Sequence, residues 1–269
     1  MKNDTHHVEL QNGIIMPFVE MGSSDGVPLL LIHGYTGSWH VFKPLLRHLP
    51  ESIHAFAITL RGHGNASRPP VGYTLQDFAG DVLKFMDEMS IERAVLVGGS
   101  SGGLVARRVA IGNPKRILGL VFLGSPSSLK DNKEIREIWD ETISKLTDPV
   151  DPSFVREFIE GVVNDTATKG YVKDMIQTSL HVPARVWKDT MIGFMNDDSF
   201  DRLGEITAPS LVIWGDRDSV LSRQDQEALA AALPDARLLV YDDASHLFYF
   251  QEPERTASDL ANFVSLLIK

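Results

Sequence analysis

The stretch that most constrains this chain is Ala94–Gly103, Ala-Val-Leu-Val-Gly-Gly-Ser-Ser-Gly-Gly. Val95, Leu96 and Val97 have the apolar, β-rich character of a strand buried on both faces. Leu104-Val105-Ala106-Arg107-Arg108-Val109-Ala110 then follows a helical pattern. The glycines and serines therefore occupy a sharp strand-to-helix turn. Gly98-Gly99-Ser100-Ser101-Gly102 fits G-x-S-x-G, a turn whose strained serine stands clear of the sheet and whose following N–H points into the same space. The frame Gly99–Gly103 fits as well. Ser100 is preferred because the strand ends at Val97-Gly98 and the turn should follow directly. A dinucleotide fingerprint lacks its second glycine here, and a phosphate loop lacks its Gly-Lys-Ser/Thr, since Gly103 is followed by Leu104.

Around this turn strands and helices alternate. Val8–Leu10 and Ile14–Val19 form a hairpin at Asn12-Gly13. Val27–Ile32, Ile53–Leu60 and Ile117–Leu123 are apolar strands. Trp39–Leu49 and Thr74–Met89 carry one apolar face each. Ser210–Trp214, Gln224–Leu233, Arg237–Tyr241 and Pro253–Ile268 repeat the rhythm. This alternation predicts an α/β fold, a mostly parallel twisted sheet flanked by helices. Between Pro126 and Glu205 it stops. Lys133–Leu146, Ser153–Val163, Tyr171–Leu180 and Ala184–Met195 read as helices, the second opened by Asp151-Pro152. A helical block inserted after the sixth strand reads as a lid over the carboxyl ends of the strands, where open α/β sheets bind ligands. The domains expected are a core of 1–125 and 206–269 and a cap of 126–205. Trp139, Phe154 and Phe158 supply apolar faces in the cap. Trp187, Met191 and Phe194 lie at i, i+4 and i+7 on one further face.

Composition limits the chemistry. With no cysteine, disulfides, thiolate catalysis and cysteine-based metal sites are excluded. A net charge of −10 argues against a nucleic-acid or anionic-membrane surface. The opening Met1–His7 has no apolar signal region, and no run is long enough to span a bilayer, so a cytoplasmic location is expected.

A serine hydroxyl needs a base, usually a histidine oriented by a carboxylate. Of nine histidines, His6 and His7 read as a tail, and His40 and His48 as surface positions on the first helix. His33 and His63 adjoin glycines in loops. His246 stands apart, late in the chain after a strand and the loop Asp242–Ser245. The strand Leu211–Trp214 runs into Gly215-Asp216-Arg217-Asp218, which offers two candidate acids.

Several segments together resemble the α/β-hydrolase superfamily, in its capped serine hydrolase branch. Leu31-Ile32-His33-Gly34-Tyr35 is similar to its His-Gly-x oxyanion segment, and Arg61-Gly62-His63-Gly64-Asn65-Ala66-Ser67 to its Arg-Gly-x-Gly-x-Ser loop. Trp214–Asp218 resembles the Gly-x-x-Asp acid turn, which selects Asp218 over Asp216. Ser245-His246 with Gln251-Glu252-Pro253 resembles the histidine segment. The chain departs from the family at Thr59, where an aspartate is common, at Ser245, where glycine is common, and at Gly99, where a bulky residue or histidine is common. Gly99 is expected to open space beside Ser100.

The resemblance implies a Ser100–His246–Asp218 triad and an oxyanion hole made of the N–H groups of Tyr35 and Ser101. The substrate expected is a small-molecule carboxylic ester or lactone with an apolar acyl part, bound near Gly34, Trp139, Trp187, Met191 and Phe194. No metal or organic cofactor is implied. Serine in place of aspartate at the nucleophile disfavours dehalogenase and epoxide-hydrolase chemistry. The alternatives are hydrolysis of a carbon–carbon bond in a β-diketone-like ring-cleavage product, and a non-catalytic ligand receptor of the same fold.

Overall fold

The structure, a computed structural model, describes residues 4–163 and 169–268. Residues 164–168 of the predicted helical block, with 1–3 and 269 of the predicted core, lie outside the described residues.

Eight strands form one sheet: β1 (His6–Glu9), β2 (Ile15–Met21), β3 (Val27–Ile32), β4 (Ile53–Ile58), β5 (Ala94–Gly99), β6 (Ile117–Leu123), β7 (Ser210–Gly215) and β8 (Ala236–Tyr241). Their order is β1-β2-β4-β3-β5-β6-β7-β8. β1 and β2 pair antiparallel at one edge, and every pairing from β4 to β8 is parallel. The predicted hairpin is present, but its first strand begins at His6, so His6 and His7 are ladder residues and not a tail.

All six residues of β5 are buried, as a central parallel strand between two helical layers requires. From β3 the chain first places β4 on one side and later β5 on the other. The strand order reverses there, and a crevice opens at the carboxyl ends of β3 and β5.

The helices are α1 (Lys43–Leu46), α2 (Leu75–Glu88), α3 (Gly102–Gly112), α4 (Lys133–Glu141), α5 (Pro152–Val163), α6 (Lys169–Leu180), α7 (Ala184–Met195), α8 (Arg223–Ala232), α9 (Phe248–Gln251) and α10 (Pro253–Leu267). The predicted helix over Trp39–Leu49 is instead a 3₁₀ turn, Trp39–Phe42, followed by the short α1. Pro44 explains the break, because it has no N–H to continue an α-helical ladder back to His40. His40 accordingly stacks on Trp39, with ring centroids 3.9 Å apart, and is half-buried. α2 begins with a capping box, Thr74 and Asp77 each accepting the other's backbone N–H.

The described residues between β6 and β7 form α4 to α7 and two 3₁₀ segments, Ile143–Lys145 and Ser199–Glu205, so the predicted helix Lys133–Leu146 is split after Glu141. At the start of α5, Asp151 Oδ1 accepts the Ser153 N–H at 2.7 Å, the capping expected of Asp-Pro. Both ends of the block are fastened to α3 by one buried side chain. Arg107 Nε–H donates to Ser199 Oγ (2.7 Å), Nη1–H donates to the Ser127 carbonyl, and Nη2 pairs with Asp197. The Arg107 and Asp197 side chains are 0% and 1% exposed.

Candidate active site

Ser100 sits at the top of β5 with φ = +51°, in the left-handed region that a non-glycine residue enters only under strain. Its N–H donates to Leu123 O (2.8 Å) and its carbonyl accepts from Gly103 N–H (3.0 Å), which holds the strained turn. The turn requires glycine at 102, where a Cβ would lie 2.2 Å from Ile32 O.

His246 lies after β8, just before α9. Its Nδ1 is 2.8 Å from Asp218 Oδ2, and its Nε2 is 3.0 Å from Ser100 Oγ. With a carboxylate at Nδ1, that nitrogen carries the proton and donates, and Nε2 accepts the Ser100 hydroxyl. The other oxygen, Asp218 Oδ1, accepts the N–H groups of Val220 (2.7 Å) and Leu221 (2.9 Å). The His246 and Asp218 side chains are 2% and 0% exposed. Asp216 points elsewhere, toward Arg217 at the surface. Ser100, not Ser101, therefore makes the hydrogen bond to His246, and Asp218, not Asp216, orients it.

The loop after β3 closes against Ser100. A Cβ at Gly34 would lie 2.9 Å from Ser100 Cβ, so only glycine lets this backbone approach. His33 fixes the loop from behind. Its Nδ1–H donates to Gly34 O (2.7 Å), and its Nε2 accepts the Leu60 N–H (3.0 Å). Burial, reinforced by neighbouring His63, lowers the His33 pKa to about 3, and burial lowers that of His63 to about 4. Both rings are neutral near pH 7.

Tyr35 is held at two points. Its N–H donates to Ser101 Oγ (2.8 Å), and its hydroxyl donates to Trp187 O on α7 (2.7 Å). The Ser101 N–H makes no hydrogen bond to a described residue, and α3, which starts just after it, has no side-chain cap.

A cavity of about 320 Å³ opens over Ser100 and His246. Ile135, Phe158, Met175, Met191 and Phe194 bring an apolar wall from α4, α5, α6 and α7. Of the residues expected near the substrate, Gly34, Met191 and Phe194 line this cavity, whereas Trp139 and Trp187 do not. Trp187 is fully buried one layer behind, its ring against Tyr35, Phe154 and Phe158 at 5.3, 5.4 and 5.2 Å. It lies a turn before Met191, where α7 crosses Tyr35 instead of the open cavity. On α4, Ile135 and Ile138 take the cavity positions, and Trp139 packs half-buried against the core.

The space expected beside Gly99 is also filled. A Cβ there would lie 2.8 Å from Tyr249 Oη and 3.3 Å from Phe42. Tyr249 also lines the cavity. Its phenol is kept neutral by burial and by the charge of Asp218, which push its pKa up. Nothing local to Ser245–Phe250 in the sequence says which side chain turns toward the elbow, so the place of Tyr249 is set only by the fold.

The model of the alpha/beta hydrolase family matches residues 29–259. The chain belongs to the α/β-hydrolase family. Among curated relatives of this α/β hydrolase, Lipase 1 of Psychrobacter immobilis is 23% identical over 96% of this chain and 83% of its own. The 2-hydroxymuconate semialdehyde hydrolase of Pseudomonas sp. (strain CF600) is 25% identical over 90% of this chain and 88% of its own. A solved hydrolase from Pseudomonas aeruginosa PA01 superposes with a TM-score of 0.87 over 98% of this chain and 99% of its own, at 24% identity, and shares the fold.

Proposed function

We propose that this α/β hydrolase is a serine hydrolase that cleaves a small carboxylic ester or lactone with an apolar acyl part. One observation carries the reading: an unbroken chain of hydrogen bonds from Asp218 through His246 to Ser100, buried at the floor of an apolar cavity.

The chemistry follows from that order. Ser100 Oγ attacks the carbonyl carbon as its proton passes to His246 Nε2. Asp218 holds the Nδ1–H tautomer and stabilises the imidazolium. The carbonyl oxygen becomes an oxyanion beside the Ser101 N–H at the start of α3, where backbone donors and the helix dipole favour negative charge. Collapse of this intermediate breaks the bond to the alkoxy oxygen, which takes the proton from His246 and leaves as the alcohol. His246 then accepts a proton from water, and the hydroxide attacks the acyl-enzyme. The second tetrahedral intermediate collapses to release the acid and return the proton to Ser100.

Residues 126–205 act in this reading as a cap on a core of 1–125 and 206–269, with Met191 and Phe194 as its contacts to the acyl chain. The cavity favours an ester over an anionic ring-cleavage product. Its described lining includes no Arg or Lys to pair with a substrate carboxylate, and Glu134 at its edge would repel one. The test is a panel of p-nitrophenyl esters, lactones and ring-cleavage dienoates assayed with the wild type and with Ser100→Ala. Turnover of neutral esters that vanishes in Ser100→Ala supports the reading, and selective turnover of the dienoates replaces it with carbon–carbon hydrolysis. Tight binding of these compounds without turnover would identify a receptor.

A further inference from the structure

We infer that the side-chain hydroxyl of Ser101, and not only its backbone N–H, is part of the oxyanion site. The inference rests on the ester-hydrolase reading above.

The resemblance assigns the oxyanion to two backbone donors, the N–H groups of Tyr35 and Ser101. In the structure the first is already engaged, because it donates to Ser101 Oγ at 2.8 Å. That oxygen is covalently tied close to the second donor, the Ser101 N–H, which makes no hydrogen bond to a described residue. The hydroxyl thus sits between the two groups that would grip the oxyanion. Ser101 is 4% exposed and lines the same cavity as Ser100.

The loop has little freedom to bring the Tyr35 N–H round to a substrate. Gly34 is packed on Ser100, His33 holds the Gly34 carbonyl, and the Tyr35 hydroxyl is bonded to α7. A serine hydroxyl, however, accepts and donates at once. With its lone pair occupied by the Tyr35 N–H, its own proton is left to donate, and no described acceptor takes it. Accepting from the Tyr35 N–H polarises the O–H and makes it the better donor. The oxyanion would then be held by the Ser101 N–H and the Ser101 O–H, with Tyr35 acting through the hydroxyl. Alanine at 101 would remove the side-chain donor and leave the Tyr35 N–H pointing at a gap.

The experiment compares Ser101→Ala with the wild type on p-nitrophenyl butyrate, measuring kcat and KM separately. It adds the affinity for a trifluoromethyl ketone, which forms a tetrahedral oxyanion adduct. Loss of one oxyanion donor costs about 10²–10³-fold in kcat. The expected result is a fall of that order, with KM little changed and ketone affinity lowered in parallel. Ser101→Thr and Ser101→Val, matched in bulk, repeat the comparison with the space filled, and only the hydroxyl-bearing threonine should restore kcat. If Ser101→Ala matches or exceeds the wild type, or if valine restores kcat as well as threonine, the Tyr35 N–H suffices and the inference is overturned. If Ser100→Ala itself retains wild-type turnover, the ester-hydrolase reading fails first, and this inference falls with it.

Discussion

At the residue scale, Asp218 and Asp216 make the sharpest pair. They sit two positions apart on one turn, yet Asp218 is buried with both oxygens in hydrogen bonds, and Asp216 is at the surface. Asp218→Asn keeps the shape and loses the charge that stabilises the imidazolium. The same exchange in the serine proteases costs about 10⁴-fold in kcat, and a loss of that order with an unchanged melting temperature is expected here. Asp216→Asn should leave kcat within a few-fold. Stopped assays on both variants decide the matter, and the reverse ranking would put the acid on the wrong residue. The choice of acid was legible only through the resemblance, because Gly-Asp-Arg-Asp offers two carboxylates and no local rule separates them. The turn was legible from its own residues, a buried strand, a glycine pair and a helix start; the pattern fits both serines, and the strand end at Val97-Gly98 favours Ser100.

At the scale of elements, two of the contacts between the helical block and the core carry separate expectations. One is the Arg107 link to Ser127, Asp197 and Ser199. Arg107→Met would leave Asp197 buried without its partner, and removing one member of a buried pair costs about 3–5 kcal/mol. A large drop in melting temperature is expected, partly recovered in Arg107→Met with Asp197→Asn. Equal stability of single variant and wild type would show that the link contributes nothing. The other contact is the face of α7. Met191→Ala should change the ratio of kcat/KM between short and long acyl chains by about 10–200-fold, the range for a methylene-scale change in an apolar pocket. Trp187→Ala should lower stability by about 3–5 kcal/mol and scale all chain lengths alike. An acyl-chain series run beside thermal melts separates the two. The helical periodicity of α7 put Trp187, Met191 and Phe194 on one face, as observed. Periodicity does not say which neighbour each turn of that face meets, and there Trp187 found Tyr35 and two phenylalanines instead of the cavity. The same limit hid Tyr249, whose place beside Gly99 depends on how the loop after β8 folds back on β5.

For the whole molecule, acid stability follows from two buried histidines. His33 and His63 stay neutral in the fold down to about pH 3 and about pH 4. In the unfolded chain a histidine takes up its proton near pH 6.5. The unfolded state therefore binds more protons below that pH. The stability from these rings is complete above it and is lost as pH falls toward 4 and then 3. Each ring adds a slope of up to about 1.4 kcal/mol per pH unit. Melting temperatures between pH 7 and 5 should fall for the wild type and fall less steeply for His63→Asn. Equal slopes would mean that His63 is not held neutral. The proposal that Ser100 is the nucleophile of an acyl transfer draws on the sheet order, the elbow and the two loops that approach it. The most direct test is reaction with a fluorophosphonate followed by peptide mass spectrometry. One covalent adduct is expected, on Ser100, that disappears in Ser100→Ala and forms far more slowly in His246→Ala. An adduct on Ser101, or no adduct while ester turnover persists, would contradict the proposal.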